Sequence, residues 1–466
     1  MAEKEGAAIR EEAVWEHLPP ITTPVYGVED KPARWSERLL YGWQHTLVDI
    51  SPFILPLAVA GALGMSAGEE AQFINFCLFA MGVATLIQTT VGNRLPIIQG
   101  PSATLVGTLA PVAGQLGGPA MWGGVFVGGL VEMLIGASRV LKYLRRLFPP
   151  VVSGVVILSI GLALGQLAVR LMIGDGAALN FILAGVVVGL IFVLQVSFRN
   201  VLGGIIARGA IFIAIWTVGL GVAGVLGEVN WALVAEKPWF ALPTLFPYGG
   251  PGFGWTFGGA AILAIFAGYF ASMVESIGDY AATCAVADER FAVRHMNRGI
   301  MAEGLGSALA AVLGGLPCTS YTQNIGIIAT TRVASRFVVQ VAAVILLLYG
   351  LCPKFGALLV AMPRAVLGGV FVIVCGMIAL AGIKLIGQAK GTTANFLMAG
   401  TALICALLIP LYVQNTLGAV WLEALPVLLR LMLTNTVVLA VLLAVGLNLL
   451  LNIVLKGDRE EEEVGS

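Results

Sequence analysis

Long apolar runs separated by short polar ones extend over almost the whole chain. A transmembrane helix needs about 20 predominantly apolar residues, and most of these runs reach that length. They predict fourteen segments, of which the third and the tenth are shorter than the others. The predicted boundaries are 38–63, 72–92, 96–114, 119–137, 148–172, 178–196, 204–226, 255–287, 296–315, 317–331, 336–351, 357–383, 393–413 and 427–455.

The tenth segment opens on a polar stretch that hydrocarbon would not tolerate facing lipid. Its sequence LPCTSYTQNIG runs from Leu316 to Gly326 between two strongly apolar segments. Such a stretch must face protein or water. A short segment interrupted by proline and glycine is the usual indication of the binding site in a transporter built from two structural halves.

The two halves of the chain repeat the same order of helix-breaking residues. A Leu-Pro pair opens each short segment, a polar residue stands six positions after each of those prolines, and a proline followed by a glycine five positions later opens segments 5 and 12. The matching positions are Pro96 and Pro317, Ser102 and Gln323, and Pro149 with Gly154 against Pro363 with Gly368. Seven spans per half is an odd number, so the second copy is predicted to be inverted.

In this register the polar stretches 97–103 and 318–324 are equivalent and face each other at mid-membrane. Extended backbone there would expose N–H and C=O groups, and the half-helices that follow would direct their N-terminal amides to the same place. The repeat therefore predicts a pocket that can hydrogen-bond a planar polar ligand.

Composition places the chain among polytopic membrane proteins. Of its 466 residues 58% are hydrophobic and 11% charged, and the mean hydropathy is +0.94, whereas soluble domains have roughly 45–50% apolar and about 25% charged residues. A net charge of zero without a basic block gives no reason to expect nucleic-acid binding. The six scattered cysteines indicate neither a disulfide framework nor a metal site.

The basic residues set the predicted orientation, because cytoplasmic loops collect Lys and Arg. Fourteen of them fall on the loops of the N-terminal side, and the opposite loops hold only Arg170, Lys237, Lys354, Arg364 and Arg430. Both termini are therefore expected in the cytoplasm. The acidic N-terminal residues contain no apolar core, so no cleavable signal peptide is expected.

The resulting domain division has five parts. Residues 1–36 form a cytoplasmic tail, part of which is expected to pack against the membrane domain. Residues 37–226 form the first repeat and 255–455 the second, joined by an extracytoplasmic loop at 227–254, and 456–466 form a second cytoplasmic tail.

Charges inside the membrane are few, so each is a functional candidate. Glu275 and Asp279 lie four residues apart, hence on one helical face of segment 8. Two carboxylates there suit proton coupling. Glu275 could accept N–H bonds from a polar ligand, and the Gln323 amide could pair with a ring edge that offers a donor and an acceptor.

Two other buried candidates have weaker support. His45 is the one histidine in an apolar segment, where a satisfied core residue and a member of a polar network with Asp49 remain equally open. Glu132, near the end of segment 4 and close to Arg139, is interpreted as an interfacial acid without a functional role.

The polar stretch of segment 10 resembles the signature Q/E/P-N-x-G-x-x-x-x-T-R/K/G of the nucleobase–ascorbate transporter family. Every fixed position is filled, by Gln323, Asn324, Gly326, Thr331 and Arg332. The Q-H pair at Gln44, the Q-G-x-S stretch at Gln99 and the R-x-x-x-A-D/E-G motif at Arg298 resemble the same family. The resemblance extends from about Tyr26 to the end of segment 12.

This resemblance implies an all-α membrane protein of fourteen spans in a 7+7 inverted repeat, with short β-strands in segments 3 and 10. It also implies a core domain of segments 1–4 and 8–11 and a gate domain of segments 5–7 and 12–14, with the substrate site between them. Family members are commonly homodimers through the gate domain, so a homodimer in the lipid bilayer is expected.

The resemblance also assigns roles to residues. Glu275 and Gln323 are expected to contact the base, with Gly100 and Ser102 lining the pocket. The residues expected in proton coupling and its polar network are Glu275, Asp279, Glu303, His45 and Asn324. Ala103 is expected to line the pocket as well, at a position where relatives commonly have Phe. Either a stacking ring comes from elsewhere, from Tyr321, Phe270 or Tyr269, or the pocket accepts a bulkier ring.

We therefore expect a proton-coupled symporter that imports a nucleobase across the bacterial inner membrane by alternating access. Gln323 resembles the purine-type members that carry xanthine, urate or guanine, whereas Arg332 resembles non-purine relatives and leaves uracil open. The proton is the expected coupling ion, with no further cofactor and no metal.

Two other classes of protein fit these residues less well. An anion carrier of the sulfate-permease type would share the 7+7 arrangement, but the carboxylate of Glu275 would repel a bare anion. An intramembrane enzyme would need a nucleophile paired with a base, or a metal cluster, and His45 alone supplies neither. The chain is not expected to be an enzyme.

Overall fold

The computed structural model describes residues 23–47, 51–138, 140–141, 147, 149–198 and 205–455. The predicted tails 1–36 and 456–466 therefore lie mostly or wholly outside the described residues, as do Asp49 and Arg139. The first half contains α1 Trp35–Leu47, α2 Ser51–Leu63, α3 Ala67–Thr90, β1 Gln99–Pro101, α4 Ala103–Ser138, α5 Pro150–Ile173, α6 Ala178–Ser197, α7 Ile205–Arg208, α8 Ala210–Trp216, a π-helix Thr217–Val222, α9 Ala223–Val225 and α10 Trp231–Glu236.

The second half contains α11 Gly259–Val286, α12 Val293–Val312, β2 Cys318–Ser320, α13 Thr322–Thr331, α14 Arg336–Gly350, α15 Pro353–Ala361, α16 Arg364–Gly387, α17 Thr393–Tyr412, a π-helix Val413–Leu417, α18 Gly418–Glu423, α19 Val427–Thr434, α20 Thr436–Asn448 and a π-helix Leu449–Val454. Within the described ranges, nine helices are long and apolar enough to cross a membrane, or ten if α14 and α15 form one bent span. The chain is a multi-pass membrane protein.

Two strand–helix units meet at the centre of the fold. β1 pairs antiparallel with β2, with Gly100 opposite Thr319. Two further backbone bonds extend the pairing, from Ser102 N to Pro317 O (3.0 Å) and from Tyr321 N to Ile98 O (3.1 Å). The polar stretches of the two short segments are therefore in direct contact, which satisfies backbone groups that lipid could not.

Each strand has its outer edge closed by a hydroxyl of the helix that precedes it. Thr85 of α3 accepts from Gln99 N (3.0 Å) and donates to Gln99 O (3.1 Å). Ser307 of α12 accepts from Cys318 N (3.0 Å) and donates to Cys318 O (3.2 Å). Gln99 and Cys318 are the first residues of their strands, so in both halves a hydroxyl group pairs with the backbone at the same position of the strand.

Glycines bring the long helices of the two halves into close backbone contact. A Cβ at Gly154 of α5 would lie 2.8 Å from Gly382 O of α16, and a Cβ at Gly382 would lie 2.7 Å from Gly154 O. Gly129 of α4 and Gly304 of α12 make the same reciprocal contact, at 2.8 and 2.6 Å. Membrane helices associate through such small residues because no hydrophobic force drives them together.

The structure corrects two of the predicted boundaries. The segment predicted at 357–383 is divided, since Pro363 separates α15 from α16. α15 belongs with the preceding helix α14, from which it is bent by 75°. The segment predicted at 427–455 is divided at Asn435, whose extended backbone ends α19 and whose side chain accepts from Val437 N and Val438 N at the start of α20. Hydropathy does not detect either break because both flanking helices are apolar.

The residues before α1 pack against the loop that follows α13. Tyr26 forms a bridge with Val333, Ala334 N donates to Tyr26 O (2.8 Å), and Val25 N donates to Arg332 O (2.7 Å). Part of the predicted tail thus contacts the membrane domain, as expected.

Candidate functional site

α11 presents two carboxylates to the strand–helix junctions. Thr104, in the first turn of α4, donates to Glu275 Oε2 (2.8 Å). One turn along α11, Asp279 accepts from Ser320 Oγ (2.8 Å) and Thr322 Oγ1 (2.7 Å) at the junction of β2 and α13. The predicted shared face of Glu275 and Asp279 is thus directed at both breaks.

Glu275 also lines a narrow cleft between α11 and α5. Val274 lies on its own helix, and Ser153, Val156 and Ile157 line the opposite wall on α5. The cleft offers about 10 Å³ to water-sized molecules, which is about the space of one water. A base could occupy this position only if α5 and α11 moved apart.

Glu303 lies behind the strands with no solvent exposure. Its carboxylate accepts from Ser276 Oγ (2.7 Å) and Tyr280 OH (2.8 Å) of α11. With the Gln99 amide turned so that its nitrogen faces acceptors, that nitrogen donates to Glu303 Oε2 (3.2 Å). These neutral donors can hold a buried carboxylate or share its proton.

Hydroxyl groups connect Asp279 to Glu303. Ser320 Oγ lies 2.8 Å from Asp279 Oδ2 and 3.0 Å from Ser276 Oγ, which in turn lies 2.7 Å from Glu303 Oε1. Because hydroxyls both donate and accept, this chain can pass a proton between the two acids. Sequence analysis missed the two serines, although Ser272, Ser276 and Tyr280 recur every four residues beside the stripe of Glu275 and Asp279.

Asn324 connects α13 to α1. Its Nδ2 lies 3.1 Å from His45 Nδ1 and donates to His45 O (2.9 Å). Since Nδ1 accepts in this contact, the ring proton lies on Nε2. Gln323 is half-buried on the same helix, and among the described residues its amide has no hydrogen-bond partner.

The remaining predicted pocket residues are used mainly for local structure. Ser102 is buried and its Oγ accepts from Leu105 N (3.2 Å) as the N-cap of α4. The Tyr321 ring lies on Gly100, where a Cβ would stand 2.6 Å from it, and its OH donates to Pro101 O (3.1 Å). Ala103 is half-buried at the start of α4.

The three candidate stacking rings have different environments. Tyr321 is held against Gly100, and Tyr269 is buried and donates to Val125 O (2.8 Å). Phe270 is half-buried with its ring 6.4 Å from that of Phe266. Of the three, Phe270 is the least enclosed.

Glu132 is not an interfacial acid, so that interpretation was wrong. It has no solvent exposure, and neither carboxylate oxygen has a hydrogen-bond partner among the described residues. The helix α4 carries it into the contact with α12, where its backbone packs against Gly304. Its position three residues after Gly129, in the close α4–α12 contact, explains the burial.

The described residues hold no group of three or more His, Cys, Asp or Glu side chains that could bind a metal. The site is instead a set of carboxylates, hydroxyls and amides around two paired strands. Such a set can hydrogen-bond a polar ring and exchange protons.

Comparison with known proteins decides the family. A sequence model of the xanthine and uracil permeases, described as the Permease family, matches residues 36–415. The chain belongs to this permease family. It is the nucleobase:cation symporter-2 family, as the motif at Gln323 predicted, and its members are transporters, not enzymes.

Relatives within the permease family match over most of their length. The chain is 30% identical to the xanthine permease XanQ of Escherichia coli (strain K12) over 465 residues, which cover 94% of this chain and 95% of XanQ. It is 32% identical to the uric acid permease PucK of Bacillus subtilis (strain 168) over 361 residues, which cover 75% of this chain and 81% of PucK.

A solved structure shares the fold. The transmembrane domain of a cyanobacterium bicarbonate transporter, BicA, superposes with a TM-score of 0.58 at 16% sequence identity, covering 90% of this chain and 100% of that domain. At this identity the likeness concerns the fold alone.

Proposed function

We propose that this permease is a proton-coupled symporter that imports an oxopurine of the xanthine or urate type. The observation that carries the proposal is the position of Glu275, which is bonded to Thr104 at the break of α4 and lines the cleft towards α5. The names of the relatives, a xanthine permease and a uric acid permease, favour purine over uracil.

Recognition of the base rests on groups that converge at the two breaks. The Glu275 carboxylate accepts ring N–H groups, and the unpartnered amide of Gln323 pairs with a neighbouring N–H and C=O edge. The first turns of α4 and α13 add backbone N–H groups that have no partner within their own helices. Phe270 supplies the stacking ring in place of the Phe that relatives have at Ala103.

Proton coupling rests on the acids of α11 and α12. Protonation in the region of Glu275 and Asp279 and binding of the base favour each other, because an unpaired carboxylate in a dry site is costly. The chain of Ser320 and Ser276 hydroxyls lets Glu303 share that proton. His45 and Asn324 hold α13 in register with α1.

The wider architecture belongs to the same proposal. The chain has fourteen spans in a 7+7 inverted repeat, with a core of segments 1–4 and 8–11 and a gate of segments 5–7 and 12–14. Both termini lie in the cytoplasm, and the protein is a homodimer of the bacterial inner membrane. Alternating access moves the core past the gate, which opens the cleft between α11 and α5.

A thermal-stability screen of the purified protein against nucleobases tests the substrate class. We expect xanthine or urate to raise the melting temperature and sulfate and bicarbonate to leave it unchanged. Stabilisation by an inorganic anion and by no base would instead favour the anion carrier, the class whose fold this chain shares.

A further inference from the structure

A second cavity lies away from Glu275, at the opposite end of the bundle from the segment before α1. It has a volume of about 540 Å³ and lies between α4 and the elements that follow α17. Gly114, on its wall, lies beside Ala62 at the end of α2. The segment that contains Tyr26 packs where α1 begins, since Tyr26 OH contacts Glu37, so the cavity lies at the other end of the bundle, which is the predicted outer side.

The cavity has a polar wall that includes one cation. Arg430 of α19 and Gln115 of α4 line it together with Gln414, Thr434 and Glu423. Gln115 Nε2 donates to Thr434 Oγ1 (2.8 Å), and Gln414 Nε2 donates to Thr434 O (3.0 Å). These bonds connect α4 with α19 and fix the two amides at the wall.

Two buried polar atoms in this wall have no partner among the described residues. They are Arg430 Nε and Gln115 Oε1. None of the ion pairs found in the described residues includes Arg430, although Glu423 lines the same cavity. A buried donor and acceptor left unpaired are costly, and a ligand or ordered water is the usual explanation.

The cavity leads towards the Glu275 site along a single half-helix. Thr104, which bonds Glu275, and Gln115 lie eleven residues apart before the break at Gly117, a rise of about 16 Å along a helix. Between them, Thr108 O accepts from Asn435 Nδ2 (3.4 Å), and a Cβ on Gly107 would lie 2.6 Å from Val437 Cγ2. This contact lies along α4 between Gln115 at the cavity and Thr104 at the Glu275 site.

We propose that the cavity is an entry site that takes up anionic oxopurines from the outer side before they pass to Glu275, where the co-transported proton neutralises the like charge of the carboxylate. The Arg430 guanidinium pairs with the ring carbonyls and negative charge of such a base, and Gln115 accepts one of its N–H groups. Separation of α4 from the Asn435–Val437 stretch then admits the base to the inner site. This entry site rests on the proposed transport of oxopurines.

Uptake kinetics of charge-neutralising variants test the entry site. For urate, which is anionic at neutral pH, Arg430→Gln should raise the KM about tenfold, the effect expected for one lost charge-assisted hydrogen bond. Glu423→Gln should lower that KM, because it removes a like charge from the same cavity. The maximal rate and the Kd of the purified protein, which report the inner site, should stay within about twofold.

A matched control uses an exposed cation on the same predicted side. Arg170→Gln removes a charge at the end of α5 that does not line the cavity, and it should leave the KM for urate unchanged. An Arg430→Gln KM equal to that of the wild type, or a shift in the same direction for Arg430→Gln and Glu423→Gln, would overturn the entry site.

The outcome also separates this inference from the proposed function. If the wild type takes up urate and Arg430→Gln leaves the KM unchanged, the entry site is wrong while the proposed function stands. If no base is taken up, the proposed function itself fails.

Discussion

Single side chains at this site are held by partners that hydropathy cannot predict. Glu275 and Asp279 were recognisable as charges on one face of an apolar helix, and the motif identified Gln323 and Asn324. Their hydroxyl partners Thr104, Ser320 and Thr322 come from the two breaks and depend on the strand pairing. A serine or threonine is too common in membrane helices to be assigned such a role from its position alone.

Glu132 is the residue whose environment is most at odds with its sequence context. A carboxyl group with no exposure and no hydrogen-bond donor beside it destabilises the folded state, so packing alone does not explain it. Glu132→Met should therefore increase the free energy of unfolding by about 1–3 kcal/mol, measured by thermal denaturation in detergent. Glu132→Gln retains the buried polar atoms and serves as the control, for which the free energy of unfolding should increase little. A loss of stability in Glu132→Met would show that the carboxyl group has a partner after all.

Among the secondary-structure elements, the pairing of β1 with β2 depends on Gly100. A Cβ there would stand 2.6 Å from the Tyr321 ring, so Gly100→Ala must displace that ring and should cost about 1–3 kcal/mol of stability. It should also weaken base binding, because Tyr321 directly precedes α13 and Gln323. The measurements are melting temperature and base affinity of the purified variant.

The second-site variant Tyr321→Leu provides the control for this contact. Tyr321→Leu removes the ring with which the methyl group of Gly100→Ala would clash. The double variant should therefore lose less stability than the sum of the losses in the two single variants. Additive losses of stability would mean that the contact between Gly100 and Tyr321 does not determine the pairing of β1 with β2.

The segment before α1 is fastened to the membrane domain by Glu29. This carboxylate accepts from Arg336 (2.7 Å) and Arg94 (2.8 Å), and the hydrogen bond from Arg336 holds the pKa of Glu29 below its ordinary value. The stabilisation is therefore present above the ordinary pKa of a glutamate and is lost as the pH falls through the lowered pKa of the folded state. Since the Glu29 side chain is 57% exposed, solvent screens both ion pairs and their contribution is about 1 kcal/mol or less.

Glu29→Gln tests this fastening through its pH dependence. The wild type should have the higher melting temperature at neutral pH, and the difference should vanish in acid. A difference that stayed constant with pH would mean that the ion pairs do not contribute to stability.

Much of the element pattern followed from the sequence, and the exceptions have physical reasons. The Leu-Pro pairs at Pro96 and Pro317 indicated both short segments, because each proline stands directly before a polar stretch where no helix continues. The break at Asn435 was missed, and segment 12 was begun at residue 357 and not at Pro363, because the flanking residues are apolar on both sides. The burial of Glu132 was missed because the depth of an acid depends on which helices approach it, here through Gly129 and Gly304.

For the whole molecule, the alternating access proposed above would require the half-helix of α4 to separate from α20. A Cβ on Gly107 would lie 3.7 Å from Val437 Cβ, within the range of about 3.5–4.5 Å that suits a disulfide. Oxidation of the Gly107→Cys/Val437→Cys double variant should therefore stop base uptake, and a reducing agent should restore it. The two single variants, treated in the same way, control for the effect of each cysteine alone. Full uptake by the oxidised double variant would exclude this separation as part of the cycle.

In the proposed mechanism the Glu275 carboxylate, beside the paired strands β1 and β2, couples transport of the base to transport of a proton. Base accumulation in proteoliposomes under an inward proton gradient measures this directly for the wild type and Glu275→Gln, which retains the size of the side chain. We expect uphill accumulation by the wild type that disappears when the gradient is collapsed, and none by Glu275→Gln. Gradient-driven accumulation by Glu275→Gln at the wild-type rate would show that Glu275 does not couple the base to the proton.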